Sequence, residues 1–245
     1  MTVSLNGKVA LVTGSSRGIG RAIAERLAAA GASVVVNYTQ SASAAEEVVH
    51  AILAKGGKAV AVQGDVSHAS EVARLFDEVE RAFGQLDIVV ANAAIFFTKP
   101  LAESTEEDFD RMFKVNAKGV FLTLQHAANR IKEGGSIAVV STGATRMNMA
   151  GTALYTASKG AAEQLVPTLA RELGPRNINV NTVSPGFTET DMMPNDEVRA
   201  YGASLSPFSR IGSAAEVAAV VAFVTSPDGH WVTAQNVQAG GGVAF

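Results

Sequence analysis

A phenol and an amine four residues apart, in Tyr155-Thr156-Ala157-Ser158-Lys159, are the side chains of this sequence best suited to move a proton. At that spacing two side chains share one face of a helix. A phenol with a pKa of about 10 is a poor acid–base group at neutral pH, and a neighbouring ammonium favours the phenolate and lowers that value. The pair therefore predicts a proton relay. Tyr-x-x-x-Lys arises readily by chance, so its weight comes from a second signature upstream. There Thr13-Gly14-Ser15-Ser16-Arg17-Gly18-Ile19-Gly20 follows an apolar run and opens a helical pattern. Glycines at 14, 18 and 20 permit a tight turn and close backbone approach to a phosphate at a helix N-terminus. With a strand before it and a helix after it, the loop reads as a dinucleotide site.

The elements that must position these groups are legible as alternating runs. Short β-branched stretches at 8–12, 33–37, 58–62, 86–91, 136–140 and 178–183 are separated by amphipathic segments at 18–30, 42–55, 69–83, 106–131 and 153–173. The strands are nearly continuous in apolar character, as parallel strands covered on both faces are. The alternation predicts an α/β fold: a single-domain doubly wound parallel sheet of the Rossmann type, helices on both faces, spanning 1–245. Ser104 and Thr105 ahead of Glu106-Glu107-Asp108 predict a helix start, and Gly31, Gly56 and Gly84 predict helix ends. A helix at 214–225 and a last strand at 235–238 complete the pattern. Between them, residues 187–212 mix methionine, proline and polar residues and read as an excursion that closes over a site as a substrate lid.

Composition removes several function classes. Of 245 residues, 47% are apolar and 18% charged, which supports a folded core. Twenty basic against 23 acidic residues give −3, too balanced for electrostatic nucleic-acid binding. With no cysteine, disulfides and thiolate chemistry are excluded, and the four histidines show no zinc-helix spacing. The start carries no long apolar segment before a cleavage site, and the apolar stretch Val217–Val224 is too short to span a bilayer. A cytoplasmic protein with no nucleic-acid or membrane partner is the expectation. The cofactor is expected to be NADP(H). An NAD site carries an acid at the end of the second strand, whereas this chain has Val36-Asn37-Tyr38-Thr39 there, and Arg17 offers a charge-assisted contact to a 2′-phosphate. Gly14, Ser16, Arg17, Gly18, Ile19, Gly20, Asn37 and Tyr38 form this part of the expected cofactor site.

The order TGSSRGIG (13–20), GDV (64–66), ANAA (91–94), VNAKG (115–119), YTASK (155–159), NVNTVSPG (179–186) and AGGG (239–242) resembles the short-chain dehydrogenase/reductase family along almost the whole chain. The resemblance implies exchange of a hydride between a nicotinamide cofactor and an alcohol/carbonyl pair, no metal, and a tetramer or dimer, with a homotetramer preferred. It implies Tyr155 as the general acid–base group, Lys159 as ribose ligand and tuner of Tyr155, and Asn116 as holder of a water leading from Lys159 to solvent. It also implies a hydroxyl after the fifth strand that binds the substrate oxygen; Ser141 is preferred, with Thr142 the alternative. Asp65 and Val66 are implied at the adenine, Asn92 and Ala93 along the cofactor, Pro185 and Gly186 against the nicotinamide, and Thr188 or Thr190 at its carboxamide. Two departures stand out: Ala94 replaces a common glycine, and Val232-Thr233-Ala234-Gln235 lacks one.

These readings converge on a reductase of a small-molecule ketone. Phe96, Phe97, Met147, Met149, Phe187, Met192 and Met193 fall in segments near the expected mouth and favour an apolar or aromatic substrate. A 3-oxoacyl-carrier-protein reductase is the alternative, which would need a basic patch at the mouth, for which Arg130, Lys132 and Arg171 are the candidates. A non-catalytic NADP(H) sensor is the alternative from another class.

Overall fold

The apolar runs become strands because both of their faces are covered: every residue of β1 (Val9–Val12), β4 (Ile88–Ala91) and β5 (Ser136–Val140) is buried in the computed structural model, which describes residues 4–193 and 195–243. In chain order the elements are β1, α1 (Gly18–Ala29), β2 (Ser33–Tyr38), α2 (Ala42–Ala54), β3 (Lys58–Gln63), α3 (Ala69–Phe83), β4, α4 (Glu106–Phe113), α5 (Gly119–Arg130) and β5. They continue with α6 (Ala144–Met147), α7 (Ala153–Leu173), β6 (Asn179–Pro185), β7 (Thr188–Glu189), α8 (Asp196–Leu205), β8 (Gly212–Ser213), α9 (Ala214–Val224) and β9 (Asn236–Ala239).

Seven strands form one parallel sheet in the order β3-β2-β1-β4-β5-β6-β9. The chain reverses its winding between β1 and β4, the point at which a doubly wound sheet opens a ligand crevice. One face is covered by α1, α2 and α9 through Ile23, Leu27, Val48, Ile52, Val217 and Val221. The other is covered by α3, α5 and α7 through Leu75, Phe76, Leu124, Val166 and Ala170. Complete burial of a side chain such as Phe76 or Leu11 contributes roughly 2–3 kcal/mol.

Local signals set the helix ends. Gly84 ends α3 at φ +75°, and Thr105 begins α4 in a reciprocal capping box with Asp108. The single helix expected over 106–131 is interrupted: Lys114–Lys118 form a π turn between α4 and α5. Asn116, fully buried in that turn, explains it. Its side chain takes both the N–H and the C=O of Ile95, each at 2.9 Å, so the extra backbone residue is anchored to the loop after β4. The excursion at 187–212 is tied down by the pairing of β7 with β8, and Asn195 caps α8 within it. Residue 194, inside that excursion, lies outside the described residues. Among the described residues, no helix is long and apolar enough to cross a membrane.

Candidate active site

The glycine loop lies at the carboxyl end of β1 and is shaped by contacts that admit no side chain. Gly14 has φ +61°, and a Cβ there would meet Ala93 Cα at 2.8 Å. A Cβ on Gly20 would lie 2.4 Å from the Gly14 carbonyl oxygen and 2.5 Å from Asn92 Nδ2. The close approach is held by Asn92, which donates to the carbonyls of Thr13 and Gly14 at 2.9 and 3.0 Å. Thr13 Oγ1 in turn accepts from the N–H groups of Asn92 and Ala93. Ala94 is not in the left-handed region, so the missing glycine leaves no backbone strain there. Ser16 and Ile19 are half-buried beside the loop; Arg17, exposed and extended, immediately precedes α1. A Cβ on Gly18 would lie 3.7 Å from Thr190, so the start of the excursion reaches over the phosphate turn.

The side chain of Asn37, expected at the cofactor, is engaged with the loop and with β3 in this structure. It is 1% exposed, its Oδ1 accepts from the Gly14 N–H at 3.0 Å, and its Nδ2 donates to the carbonyls of Gly64 and Val62 at 3.0 and 3.3 Å. The side chain is spent bracing the loop. Tyr38, next along β2, is half-buried. Asp65 Oδ1 accepts from the Ser67 N–H at 2.8 Å, so it caps its own turn, and Val66 packs against Gly119 at the start of α5. Hydrogen bonds from Ser67, with nearby His68 and Lys114, hold the Asp65 carboxyl below its ordinary pKa despite the opposing effect of burial.

Tyr155 and Lys159 occupy one face of α7, both buried. The Lys159 ammonium donates to the Val140 carbonyl at 2.8 Å; burial lowers its pKa to about 8, and the charge of Glu163 opposes that fall. Burial pushes the Tyr155 phenol above its ordinary value, and the hydrogen bond of Thr142 pulls the other way. Burial is the largest influence on both groups. Lys159 is turned to a main-chain oxygen, and desolvation dominates at the phenol. The two hydroxyls after β5 meet different partners. Ser141 points beneath α7 and donates to Glu163 Oε1 at 2.5 Å, whereas Thr142 faces Tyr155. Strand alternation carried that signal: Ser141 shares its parity with Val139, which packs on the α7 face. Asn116 donates to Ser158 Oγ at 3.2 Å besides its two bonds to Ile95, so its side chain is committed to bracing.

Around this centre, Pro185 ends β6, and a Cβ on Gly186 would meet Gly240 at 2.8 Å, so the β6 and β9 ends pass in contact. Thr188 Oγ1 donates to the Gly186 carbonyl. Phe96 sets its ring edge-on to Tyr155 at 4.8 Å between centroids, whereas Phe97 lies beneath Arg111. Phe187 packs on α8 and lines a separate cavity with Ser206, Phe208 and Gly240. The basic patch is not at the mouth. Lys132 bonds the Leu86 carbonyl before β4, and Arg130 pairs with Asp77 at 2.6 Å. Arg171 lies near the end of α7, so all three are at the opposite end of the sheet. Glu163 and Thr13 were missed in the sequence reading. Glu163 was findable as the residue four beyond Lys159, on the same helix face.

Comparisons with known proteins match nearly the whole chain. A family model described as enoyl-(acyl carrier protein) reductase matches residues 14–244. The hydroxynaphthalene reductase-like protein Arp2 of Metarhizium robertsii is 42% identical over 255 aligned residues, covering 98% of this chain and 96% of its own. A short-chain dehydrogenase from Burkholderia cenocepacia, solved in complex with NADP, superposes with a TM-score of 0.93 at 45% identity, over 98% of each chain. The angucycline C-6 ketoreductase LanV, solved with bound NADP, gives 0.94 at 41% identity, over 99% of this chain and 98% of its own.

Proposed function

The chain belongs to the short-chain dehydrogenase/reductase family, and from that membership we propose that it is an NADPH-dependent reductase of apolar or aromatic ketones. The residues fit NADP(H). The loop at 13–20 leaves a cradle that a Cβ at Gly14 or Gly20 would fill, and the N-terminal N–H groups of α1 adjoin it. Gly14, Ser16, Gly18, Ile19 and Gly20 would line the pyrophosphate, and Arg17 with Tyr38 would meet the 2′-phosphate. Asp65, Val66, Asn92 and Ala93 would border the adenine side; Pro185, Gly186, Thr188 and Thr190 would border the nicotinamide. When bound, NADPH supplies the hydride.

The observation that carries the reading is that Tyr155 and Lys159 are buried together on one face of α7, with Thr142 beside the phenol. A phenol raised above its ordinary pKa keeps its proton at neutral pH. It therefore acts as the general acid, delivering that proton to the ketone oxygen as the carbonyl carbon is reduced. Thr142 hydrogen-bonds the same oxygen and fixes it against Tyr155. Lys159 would hold the nicotinamide ribose when the cofactor is bound, and Asn116 keeps the π turn registered behind it. The reverse direction needs the phenolate and is therefore favoured by high pH. Phe96 against Tyr155 gives the pocket an aromatic wall, and the names of the Metarhizium protein and of LanV support the same substrate class. A carrier-protein substrate is less well supported, because Arg130, Lys132 and Arg171 lie far from Tyr155. The segment at 187–212 acts as the lid, and family membership supports a cytoplasmic homotetramer.

The test is a panel of purified aromatic and aliphatic ketones with an acetoacetyl thioester, following NADPH absorbance. Aromatic ketones are the expected substrates. Tyr155→Phe lowers turnover at least about a hundredfold and leaves NADPH binding intact. Near-wild-type turnover by that variant refutes the mechanism, and binding of NADPH with no turnover of any carbonyl or alcohol restores the sensor reading.

A further inference from the structure

Lys159 carries its charge where water does not reach, at 2% exposure. An ammonium removed from water needs a compensating charge or it surrenders its proton. The Val140 carbonyl accepts from it at 2.8 Å but contributes only a dipole. Glu163 stands one turn further along α7 on the same face, half-buried, and no step of the proposed reaction uses it. Its Oε1 accepts from Ser141 Oγ at 2.5 Å and from Thr145 Oγ1 at 3.1 Å. Two hydroxyls converging on one carboxylate oxygen fix the group in place.

We propose that Glu163 is a positioning residue for the reaction: its carboxylate, pinned by Ser141 and Thr145, acts through Lys159 to keep that buried amine charged at working pH. The inference rests on the ketone-reductase reading for its catalytic consequence, although the charge coupling does not depend on turnover. The other charged groups around α7 are directed elsewhere. On the π turn, Lys114 and Lys118 are exposed, as is Arg146 of α6; on α5, Arg130 pairs with Asp77; on α4, Arg111 lies over Phe97. Tyr155, one turn before Lys159, is a neutral phenol, and β5 presents only the Val140 carbonyl. The attraction of Glu163 opposes the burial that draws Lys159 down to about 8.

Glu163→Gln keeps a side chain of the same shape and removes the charge. The basic limb of the pH profile of kcat/KM is expected to move down by about one unit. Activity then falls roughly fivefold at pH 8 and stays within about a factor of two at pH 6. A merely structural contact would lower activity alike at both pH values. The independent readout is the side-chain 15N resonance of Lys159, assigned by its loss in Lys159→Arg. Its titration midpoint shifts down in Glu163→Gln even if every ketone proves inert, which separates failure of this inference from failure of the functional reading. A folded Glu163→Gln protein with an unmoved Lys159 midpoint overturns the proposal. Should that variant not fold, Glu163→Met, which also removes the charge at a similar length, must shift the midpoint in the same sense, and no shift overturns the proposal.

Discussion

Replacing Lys159 by methionine should make the protein more stable at neutral pH while abolishing its activity. The amine is buried, and its pKa falls from 10.5 to about 8 on folding. Each unit of that fall is worth about 1.4 kcal/mol, so the charged side chain costs the folded state about 3 kcal/mol. Methionine fills a similar volume without charge. Against that gain stands the Val140 carbonyl, which loses a donor at 2.8 Å, a loss of about 1–2 kcal/mol. The net expectation is a gain of about 1–2 kcal/mol at pH 7. The pH dependence identifies its origin. Below about pH 8 both the folded and the unfolded wild-type amine are protonated, and the penalty is complete. From about 8 to 10.5 the folded amine is neutral while the unfolded one still binds a proton, so the wild type gains stability as the pH rises. The advantage of the variant therefore shrinks through that window and reverses. Urea unfolding of both proteins at pH 6.5, 8 and 9.5 measures it. A variant less stable than wild type at pH 6.5, by an amount that does not change with pH, refutes the reasoning.

Three further outcomes follow from the geometry. Thr142→Val should lower kcat/KM about a hundredfold by removing the donor to the substrate oxygen, and Ser141→Ala should lose an order of magnitude less; steady-state kinetics at pH 6.5 separates the two. Arg17→Ala should reduce the preference for NADPH over NADH by roughly 10- to 100-fold, read as the ratio of kcat/KM for the two cofactors. Ala234 has φ +59°, a left-handed conformation in which glycine is unstrained. Ala234→Gly should therefore raise stability by about 0.5–1 kcal/mol, the relief of strain exceeding the added chain entropy, as measured by urea midpoint.

The central strands β1, β4 and β5 were legible because they are buried on both faces, which leaves nearly continuous apolar runs. The ends of α3 and α4 were legible for a different reason: Gly84 and the Thr105–Asp108 box act through their own backbone and need no tertiary partner. What escaped depended on partners distant in sequence. The π turn at 114–118 keeps a helical pattern and exists because Asn116 grips Ile95 across 21 residues. Asn37 sits where a ribose ligand is expected, and only β3 beside it shows that its amide is consumed by Val62 and Gly64. The choice between Ser141 and Thr142 turned on which side of the β5 end each hydroxyl leaves, and Lys159 on a competitor for its proton donors, the Val140 carbonyl, that carries no side-chain signature.

The buried amide of Asn37 also limits how this enzyme can be redesigned. Converting an NADPH enzyme to NADH usually means installing an acid at the end of the second strand. Here Asn37→Asp would place a carboxylate oxygen against the carbonyls of Gly64 and Val62, which now accept from Nδ2 at 3.0 and 3.3 Å. Three acceptors would then face one another with no proton between them, and the strand pairing that supports the glycine loop would weaken before any coenzyme was rejected. On the proposed reading, selectivity is to be retuned at Arg17 and Tyr38, whose replacement leaves the brace intact, so the route from one coenzyme to the other bypasses the very position that sequence habit would choose first.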